Sequence, residues 1–193
     1  MNVAVVDNGG QWTHKEWRTL KYLGCNAEIV LNTTPLGDLD QFDALVLSGG
    51  SPRIETESDS LGLTSEYLNS EIWPILGICV GHQYMATHFG GKAGPASIPE
   101  FGEAQLKIND NGWLLSNLPS EFKVWESHND EVTELPDSFR ILASSKDCSI
   151  QAMEHESLPY AGVQFHPEVE HSEFGAEIFT NFLKKASNYN KSK

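Results

Sequence analysis

The sequence centres on one stretch, Gly77-Ile78-Cys79-Val80-Gly81-His82-Gln83, in which an apolar run ends at a cysteine and a helical pattern begins. This arrangement predicts a sharp strand-to-helix turn with Cys79 at its tip and small neighbours that let the backbone bend closely. A cysteine there lies at a helix N-terminus, where the positive end of the helix dipole stabilises a thiolate. Cys79 is therefore a candidate nucleophile.

A second stretch supplies what a nucleophilic cysteine needs, namely a base and a group that orients the base. It reads Gln164-Phe165-His166-Pro167-Glu168 and completes a strand pattern over Tyr160–Phe165. The His-x-Glu spacing at a strand end allows Glu168 to accept a hydrogen bond from the His166 imidazole. A metal site in this His- and Glu-rich segment is the alternative, but the sequence contains no second ligand cluster and no HExxH spacing.

A glycine loop, Ser48-Gly49-Gly50, follows another strand pattern. Backbone N–H groups at such a loop can cradle a phosphate or form an oxyanion hole. The loop partly matches the SGGxDS loop of ATP pyrophosphatases, but Ser51-Pro52-Arg53 follows it and the Asp-Ser pair is missing. The glycine patterns of P-loop and dinucleotide-binding proteins are also missing, so the sequence predicts no nucleotide site.

Strand and helix patterns alternate through the first half of the chain, beginning with the Val-rich strand Asn2–Asp7, and this alternation predicts βαβ units with a parallel sheet. Residues 51–62 are polar and are predicted to form a loop. The second half contains short strand patterns and a final helix capped by Ser172. We expect an α/β fold in which residues 1–193 form one domain, with residues 186–193 as a frayed tail.

Composition narrows the function classes. Thirteen Lys and Arg residues against 27 Asp and Glu residues give a net charge of −14. This charge argues against nonspecific binding to nucleic acids and against binding to anionic membranes. The three cysteines form no CxxC pair, and their odd number excludes a fully paired disulfide framework. No apolar run approaches the ~18 residues of a membrane span, and the N-terminus lacks signal-peptide features. We therefore expect a cytoplasmic protein.

Together, the three motifs resemble those of class I glutamine amidotransferases, in the order in which that family carries them and over nearly the whole chain. The resemblance implies a flavodoxin-like α/β fold with a mixed, mostly parallel central sheet and helices on both faces. It also implies hydrolysis of glutamine to glutamate and ammonia by Cys79 as nucleophile, His166 as proton carrier and Glu168 as the residue that holds the imidazole. The resemblance further implies that the N–H groups of Gly50 and Val80 form the oxyanion hole. It also implies that Gln83 binds the substrate.

A further segment, Trp125-Glu126-Ser127-His128-Asn129-Asp130, resembles the Ser-His-Gly-Asp segment of amidotransferase domains from GMP synthases. The opening segment, Asp7 to Trp12, similarly resembles the Asp-x-Gly-x-Gln-aromatic opening of that group. The resemblance implies that Ser127, His128 and Asn129 bind glutamine and that Asp130 lies toward the partner subunit. Asn129 replaces the usual glycine, and Ser51 separates the glycine loop from its proline. The alternative for residues 127–130 is a polar turn after a strand.

The implied partner is a separate ATP-pyrophosphatase, or synthetase, subunit that converts XMP to GMP. ATP and magnesium are expected on that subunit, and neither a cofactor nor a metal is expected on this chain. Two alternatives remain open. The first is the glutaminase subunit of anthranilate or aminodeoxychorismate synthase, although these enzymes usually have serine at the position of Val169. The second is a noncatalytic regulatory module with the same fold.

Overall fold

The computed structural model describes residues 1–192 and arranges them around a single nine-stranded sheet. The strands are β1 (Asn2–Asp7), β2 (Asn26–Leu31), β3 (Ala44–Leu47), β4 (Ile75–Ile78), β5 (Lys92–Ile108), β6 (Glu121–Glu134), β7 (Phe139–Ser144), β8 (Ala152–His155) and β9 (Tyr160–Val163). The helices are α1 (Thr13–Tyr22), α2 (Ile54–Glu57), α3 (Thr64–Ser70), α4 (Val80–His88) and α5 (Gly175–Ser192). The spatial order of the strands is β2-β1-β3-β4-β9-β8-β7-β5-β6.

The sheet is mixed, as the resemblance to class I amidotransferases implies. Strands β2, β1, β3, β4 and β9 pair in parallel, whereas β8, β7, β5 and β6 join through antiparallel pairings. Among residues 1–192, seven of the nine strands run in one direction and only β5 and β8 run in the other. The short central strands β3, β4 and β9 are buried along their whole length, which is typical of parallel strands covered on both faces.

Alternating side chains of β1 enter two separate cores because successive residues of a strand point to opposite faces. Val3 and Val5 belong to the core that α1 and α5 cover. Ala4 and Val6 belong to the core on the opposite face, which α3 and α4 cover. The expected helices on both faces are therefore present.

The order of the strands creates a crevice beside β1. The connection after β1 passes through α1 to β2 on one side, whereas β3 and β4 lie on the other side of β1. Loops that diverge in this way leave a crevice at the carboxyl ends of the strands, where ligands of open α/β sheets bind. The segments after β1, β3 and β4 all reach this edge, so the fold brings the predicted motifs together.

Two regions differ from the predictions for loop and tail. Residues 51–62 are not one loop: α2 is followed by a 3₁₀ turn over Ser58–Leu61, because Ile54 and Leu61 are buried against the body of the protein. Residues 186–192 are helical instead of frayed, since Ala186 is buried and the Tyr189 hydroxyl and the Asn190 amide donate to backbone oxygens. Lys193 lies outside the described residues.

The strands β5 and β6 are much longer than their sequence patterns suggest. The polar turn considered for residues 127–130 is instead part of β6, with Ser127 opposite Phe101 and His128 opposite Glu100. The buried positions of this part of β6 carry polar side chains, including Glu126 and His128, so the usual alternation of apolar and polar residues is hidden. The final helix begins at Gly175, and Ser172 is not its cap.

Glycine is required at the turn between β4 and α4. A Cβ atom on Gly81 would lie 2.4 Å from the backbone oxygen of Leu47, and a Cβ atom on Gly77 would lie 2.7 Å from the carbonyl of Gly81. These contacts are to backbone atoms, which cannot move aside as a flexible side chain can.

We expect Gly81→Ala to lower the free energy of unfolding by at least about 2 kcal/mol, because the added methyl group overlaps rigid backbone. Gly37→Ala is the matched control, since Gly37 is exposed with open space around its Cβ position, and its effect should stay within about 0.5 kcal/mol. Urea unfolding measures both variants, and equal losses would contradict the close-approach argument.

Candidate active site

Cys79 stands at the tip of the turn between β4 and α4 with φ 50° and ψ −107°. A positive φ is unfavourable for a residue with a side chain and persists only where the surroundings enforce it. Here the Cys79 N–H donates to the oxygen of Val163 at 2.9 Å, and the Gln83 N–H donates to the Cys79 oxygen at 3.0 Å. Backbone hydrogen bonds thus hold both sides of the turn.

The fold brings Cys79 together with His166 and Glu168, all of which are buried. His166 Nδ1 lies 2.7 Å from Glu168 Oε1, and the imidazole and the Cys79 side chain both border the Cβ position of Gly49. Burial opposes protonation of His166, but the contacts with Cys79 and Glu168 outweigh it and raise the pKa of His166 to about 10. The arrangement therefore favours an imidazolium beside the sulfur, and a positive charge at this position stabilises a thiolate.

The position of His166 is fixed from three directions. Trp12 places its ring edge-on to the imidazole, with the centroids 4.5 Å apart. The backbone N–H of His166 donates to the oxygen of Trp125 at 3.0 Å. Ser172 donates its hydroxyl to the His166 oxygen and accepts the Trp125 N–H. Ser172, predicted as a helix cap, therefore links the loop of the histidine to β6.

The predicted oxyanion residues lie beside the cysteine. A Cβ atom on Gly50 would come within 3.1 Å of the Val80 side chain and 2.4 Å of the backbone oxygen of Asn8. Gly50 is therefore adjacent to Val80, whose N–H has no partner within its own helix because it is the first residue of α4. Gly49 faces the same centre, since its Cβ position lies 3.2 Å from His166 Cε1 and 3.6 Å from Cys79 Cβ.

A cavity of about 380 Å³ opens in front of Cys79 and His166, a size within the range of small-molecule sites. Its wall also includes the predicted substrate-binding residues Gln83, Ser127, His128 and Asn129. Asp130, predicted at the partner interface, is buried and lines the same cavity instead of an exposed face.

A chain of amide groups connects the cavity wall to the sulfur. Gln83 Nε2 donates to the Asp130 oxygen at 2.6 Å and to Gln164 Oε1 at 3.1 Å, and Gln164 Nε2 lies 3.7 Å from Cys79 Sγ. Gln83 therefore uses its amide hydrogens on the protein framework in this structure. Gln164 was not among the predicted site residues, although it is the one polar residue at the end of the apolar run that leads to His166.

Glu100, Glu126 and His128 form a second buried cluster behind the cavity, with donor atoms within 4.8 Å of one another, and could in principle surround a metal ion. His128 Nε2 lies 3.1 Å from Glu100 and 3.4 Å from Glu126. Burial opposes the protonation of His128, but the two carboxylates outweigh it and raise its pKa to about 10. A protonated His128 already supplies the positive charge that such a cluster needs.

The family model for class I glutamine amidotransferases matches residues 4–186. The chain belongs to the class I glutamine amidotransferase family. Two archaeal relatives carry the name of one subunit of glutamine-hydrolysing GMP synthase. The one from Thermoplasma acidophilum is 47% identical over 189 residues, which cover 98% of this chain and 94% of that protein. The one from Thermococcus kodakarensis is 47% identical over 184 residues, with coverages of 94% and 97%.

Solved structures confirm the predicted fold of this amidotransferase. A crystal structure of a Thermoplasma acidophilum protein is 46% identical, covers 99% of this chain and 96% of its own, and superimposes with a TM-score of 0.94. A glutamine amidotransferase from Thermotoga maritima is 19% identical, with coverages of 100% and 84% and a TM-score of 0.74, and shares the fold. Within residues 1–192, no helix combines the length and apolar character that crossing a bilayer requires.

The cluster around His128 gives this amidotransferase a pH-dependent stability. Because the pKa of His128 rises from about 6.5 when unfolded to about 10 when folded, its contribution is complete below about pH 6.5 and is lost as the pH approaches 10. His128→Gln should therefore cost about 3 kcal/mol of unfolding free energy at pH 6, since it leaves buried carboxylates without a cation, and much less near pH 10. Urea unfolding at both pH values tests this, with His14→Gln, at an exposed histidine, as the control. An equal loss at both pH values would exclude the charged pair.

Proposed function

We propose that this chain is the glutaminase subunit of a two-subunit GMP synthase, with Cys79, His166 and Glu168 as its catalytic triad. The observation that supports the triad is the buried placement of Cys79 and His166 on one cavity, with His166 Nδ1 2.7 Å from Glu168 Oε1. The names of the archaeal relatives, which match nearly full length, support the assignment to GMP synthesis. A noncatalytic module would have no need of this assembly.

The proposed reaction begins with attack of the Cys79 thiolate on the side-chain amide carbon of glutamine. The N–H groups of Gly50 and Val80 stabilise the oxyanion, and one such donor lowers the barrier by on the order of 3 kcal/mol. His166, which holds the proton, transfers it to the departing ammonia while Glu168 keeps the imidazole in place. Water, deprotonated by the same imidazole, then hydrolyses the glutamyl thioester and releases glutamate.

The partner in this proposal is the ATP-pyrophosphatase subunit, which would use the ammonia to convert XMP to GMP. The relatives are named as one subunit of their synthase, which supports a partner of this kind. ATP and magnesium would bind to that partner, while this chain would work without a cofactor. Its three cysteines are free thiols, which suits a reducing compartment such as the cytoplasm.

Cys79→Ala should abolish glutamine-dependent GMP synthesis by the reconstituted complex and leave synthesis from added ammonium salts intact, because only the source of ammonia is lost. Cys25→Ala, at a buried thiol that does not line the cavity, is the matched control and should keep glutamine-dependent activity. Among triad variants, Glu168→Gln should lose less activity than His166→Ala, since Glu168 orients the imidazole and does not transfer the proton. Glutamine-dependent activity that survives in Cys79→Ala would overturn the triad.

The isolated glutaminase should hydrolyse glutamine slowly and become active on binding a substrate-loaded synthetase, because free hydrolysis would waste glutamine. The exposed rim residues Ser51, Arg53 and Asn129 offer a contact for the partner at the mouth of the cavity. A hundredfold activation requires about 2.7 kcal/mol of coupling free energy.

The measurement is the glutaminase rate against added synthetase, with and without ATP and XMP, at two ionic strengths. With a net charge of −14 on this chain, association should slow as salt rises. A lone glutaminase that turns over at the full rate, unchanged by the partner, would contradict this gating.

A further inference from the structure

A buried carboxyl group on α1 lies behind the glycine loop and takes no part in the proposed reaction steps. Glu16 shares the inward stripe of α1 with Thr13 and Leu20 and is only 1% exposed. It contributes to the wall of the cavity that contains Cys79 and His166. A charged residue type on the buried stripe of a helix is costly unless it has a specific partner.

The partner of Glu16 is the backbone of the glycine loop. Glu16 Oε1 accepts the N–H of Gly49 at 3.3 Å, whereas Oε2 is buried and has no hydrogen-bond partner among the described residues. No lysine or arginine forms an ion pair with Glu16 in the part of the chain that the structure describes. Among the described residues, the one hydrogen bond of the Glu16 side chain therefore goes to the loop of the predicted oxyanion hole.

The glycine loop is held from two sides, and Glu16 provides one of them. On the other side, Asn8 donates its side-chain amide to the Ser48 oxygen at 3.0 Å and its backbone N–H to the Ser48 hydroxyl at 2.9 Å. Gly49 lies between these anchors and the reacting groups, because the side on which a Cβ atom would stand faces His166 and Cys79. A shift of the Gly49 peptide would therefore move Gly50 relative to the sulfur.

The surroundings favour the uncharged acid form of Glu16. Burial, and next the nearby carboxylate of Glu168, raise the pKa of Glu16 well above its ordinary value. A neutral carboxyl group still accepts the Gly49 N–H through its carbonyl oxygen. It also avoids a second negative charge beside Glu168, which would hold the proton on His166 more tightly and oppose its transfer to ammonia.

We propose that Glu16 is a positioning residue of the glutaminase reaction, which fixes the Gly49–Gly50 backbone beside Cys79 and His166 by accepting the Gly49 N–H. The residue acts through the loop and need not touch glutamine. The inference rests on the proposed function of the triad, and it assigns to α1 a direct part in arranging the oxyanion hole.

The experiment compares Glu16→Met, Glu16→Ala and Glu16→Gln in the complex reconstituted with the synthetase, ATP and XMP. Methionine keeps the length of the side chain without a good acceptor, alanine removes the side chain, and glutamine keeps a carbonyl oxygen without a charge. Titration of Cys79 with a glutamine-like diazoketone counts folded, reactive sites, so that kcat is expressed per site. Glu154→Gln is the matched control, because Glu154 is a buried carboxylate that holds Arg140 and the backbone near Trp113.

We expect Glu16→Met and Glu16→Ala to lower kcat per titrated site about tenfold, a part of what losing one oxyanion donor costs, with KM for glutamine changed less than about twofold. Glu16→Gln should stay within about threefold of the wild-type kcat, because its amide oxygen accepts the same N–H. Glu154→Gln should lower stability and leave kcat per site unchanged, which separates positioning from general loss of structure.

Two results would overturn the proposal. One is a wild-type kcat per titrated site in Glu16→Met or Glu16→Ala. The other is a loss in Glu16→Gln as large as in Glu16→Ala, since the acceptor would then not be what matters. Failure of the triad itself is recognised separately, because Cys79→Ala would then still hydrolyse glutamine and the diazoketone would not label Cys79 in the wild type.

Discussion

A cysteine at φ 50° and ψ −107° is held in a conformation that costs about 1–3 kcal/mol, and the arrangement of the site depends on this one residue. The strain persists because β4 ends against β9 and α4 begins at once, which leaves the backbone no room to relax. Gly81 packs so closely on Leu47 that a single methyl group would separate helix from sheet. The nucleophile, the first N–H of α4 and the crevice beside β1 are therefore placed by the same packing.

The second requirement is to keep several ionisable groups in buried positions. Each imidazolium has a carboxyl group next to it, Glu168 for His166 and Glu100 for His128. Burial opposes the ionisation of Glu100, but hydrogen bonds from His128, Ser145 and Gln151 outweigh it and lower its pKa. Burial raises the pKa of Glu126, so this carboxyl group is more readily neutral. Pairing of this kind is what allows a buried cluster of charges to persist.

Sequence reasoning reached the fold and the motif residues because these depend on local rules. The glycines around Cys79, the short apolar strands and the His-x-Glu pattern each have a direct physical reading, and the structure brings Cys79, His166 and Glu168 together. The partners that are distant in sequence could not be reached in this way. Gln164 lies in the same motif as His166, but its contact with Cys79 depends on the pairing of β4 with β9, which no local pattern shows.

The long hairpin of β5 and β6 was underestimated for a different reason. Its inward positions carry Glu126, His128 and Asp130, which a pattern of apolar and polar residues assigns to solvent. Glu16 was overlooked in the same way, although its spacing from Thr13 and Leu20 puts it on the buried stripe of α1. A charged residue on an otherwise buried stripe is the signal that would have identified both. In each case the functional site breaks the rule that the rest of the fold obeys.

The pairing of β4 with β9 also determines when, during synthesis of the chain, the site can assemble. Ile75 pairs with Tyr160, 85 residues later, so the strand that leads to the cysteine has an open edge until β9 has been synthesised. The thiol can therefore reach its imidazole only after the ribosome has added the 87 residues that lead from Cys79 to His166. Such long-range pairing slows folding, and an unpaired edge strand invites contact with other chains. Nascent chains of this protein thus carry an exposed sheet edge, but an unassembled and inactive nucleophile, until β9 has left the ribosome.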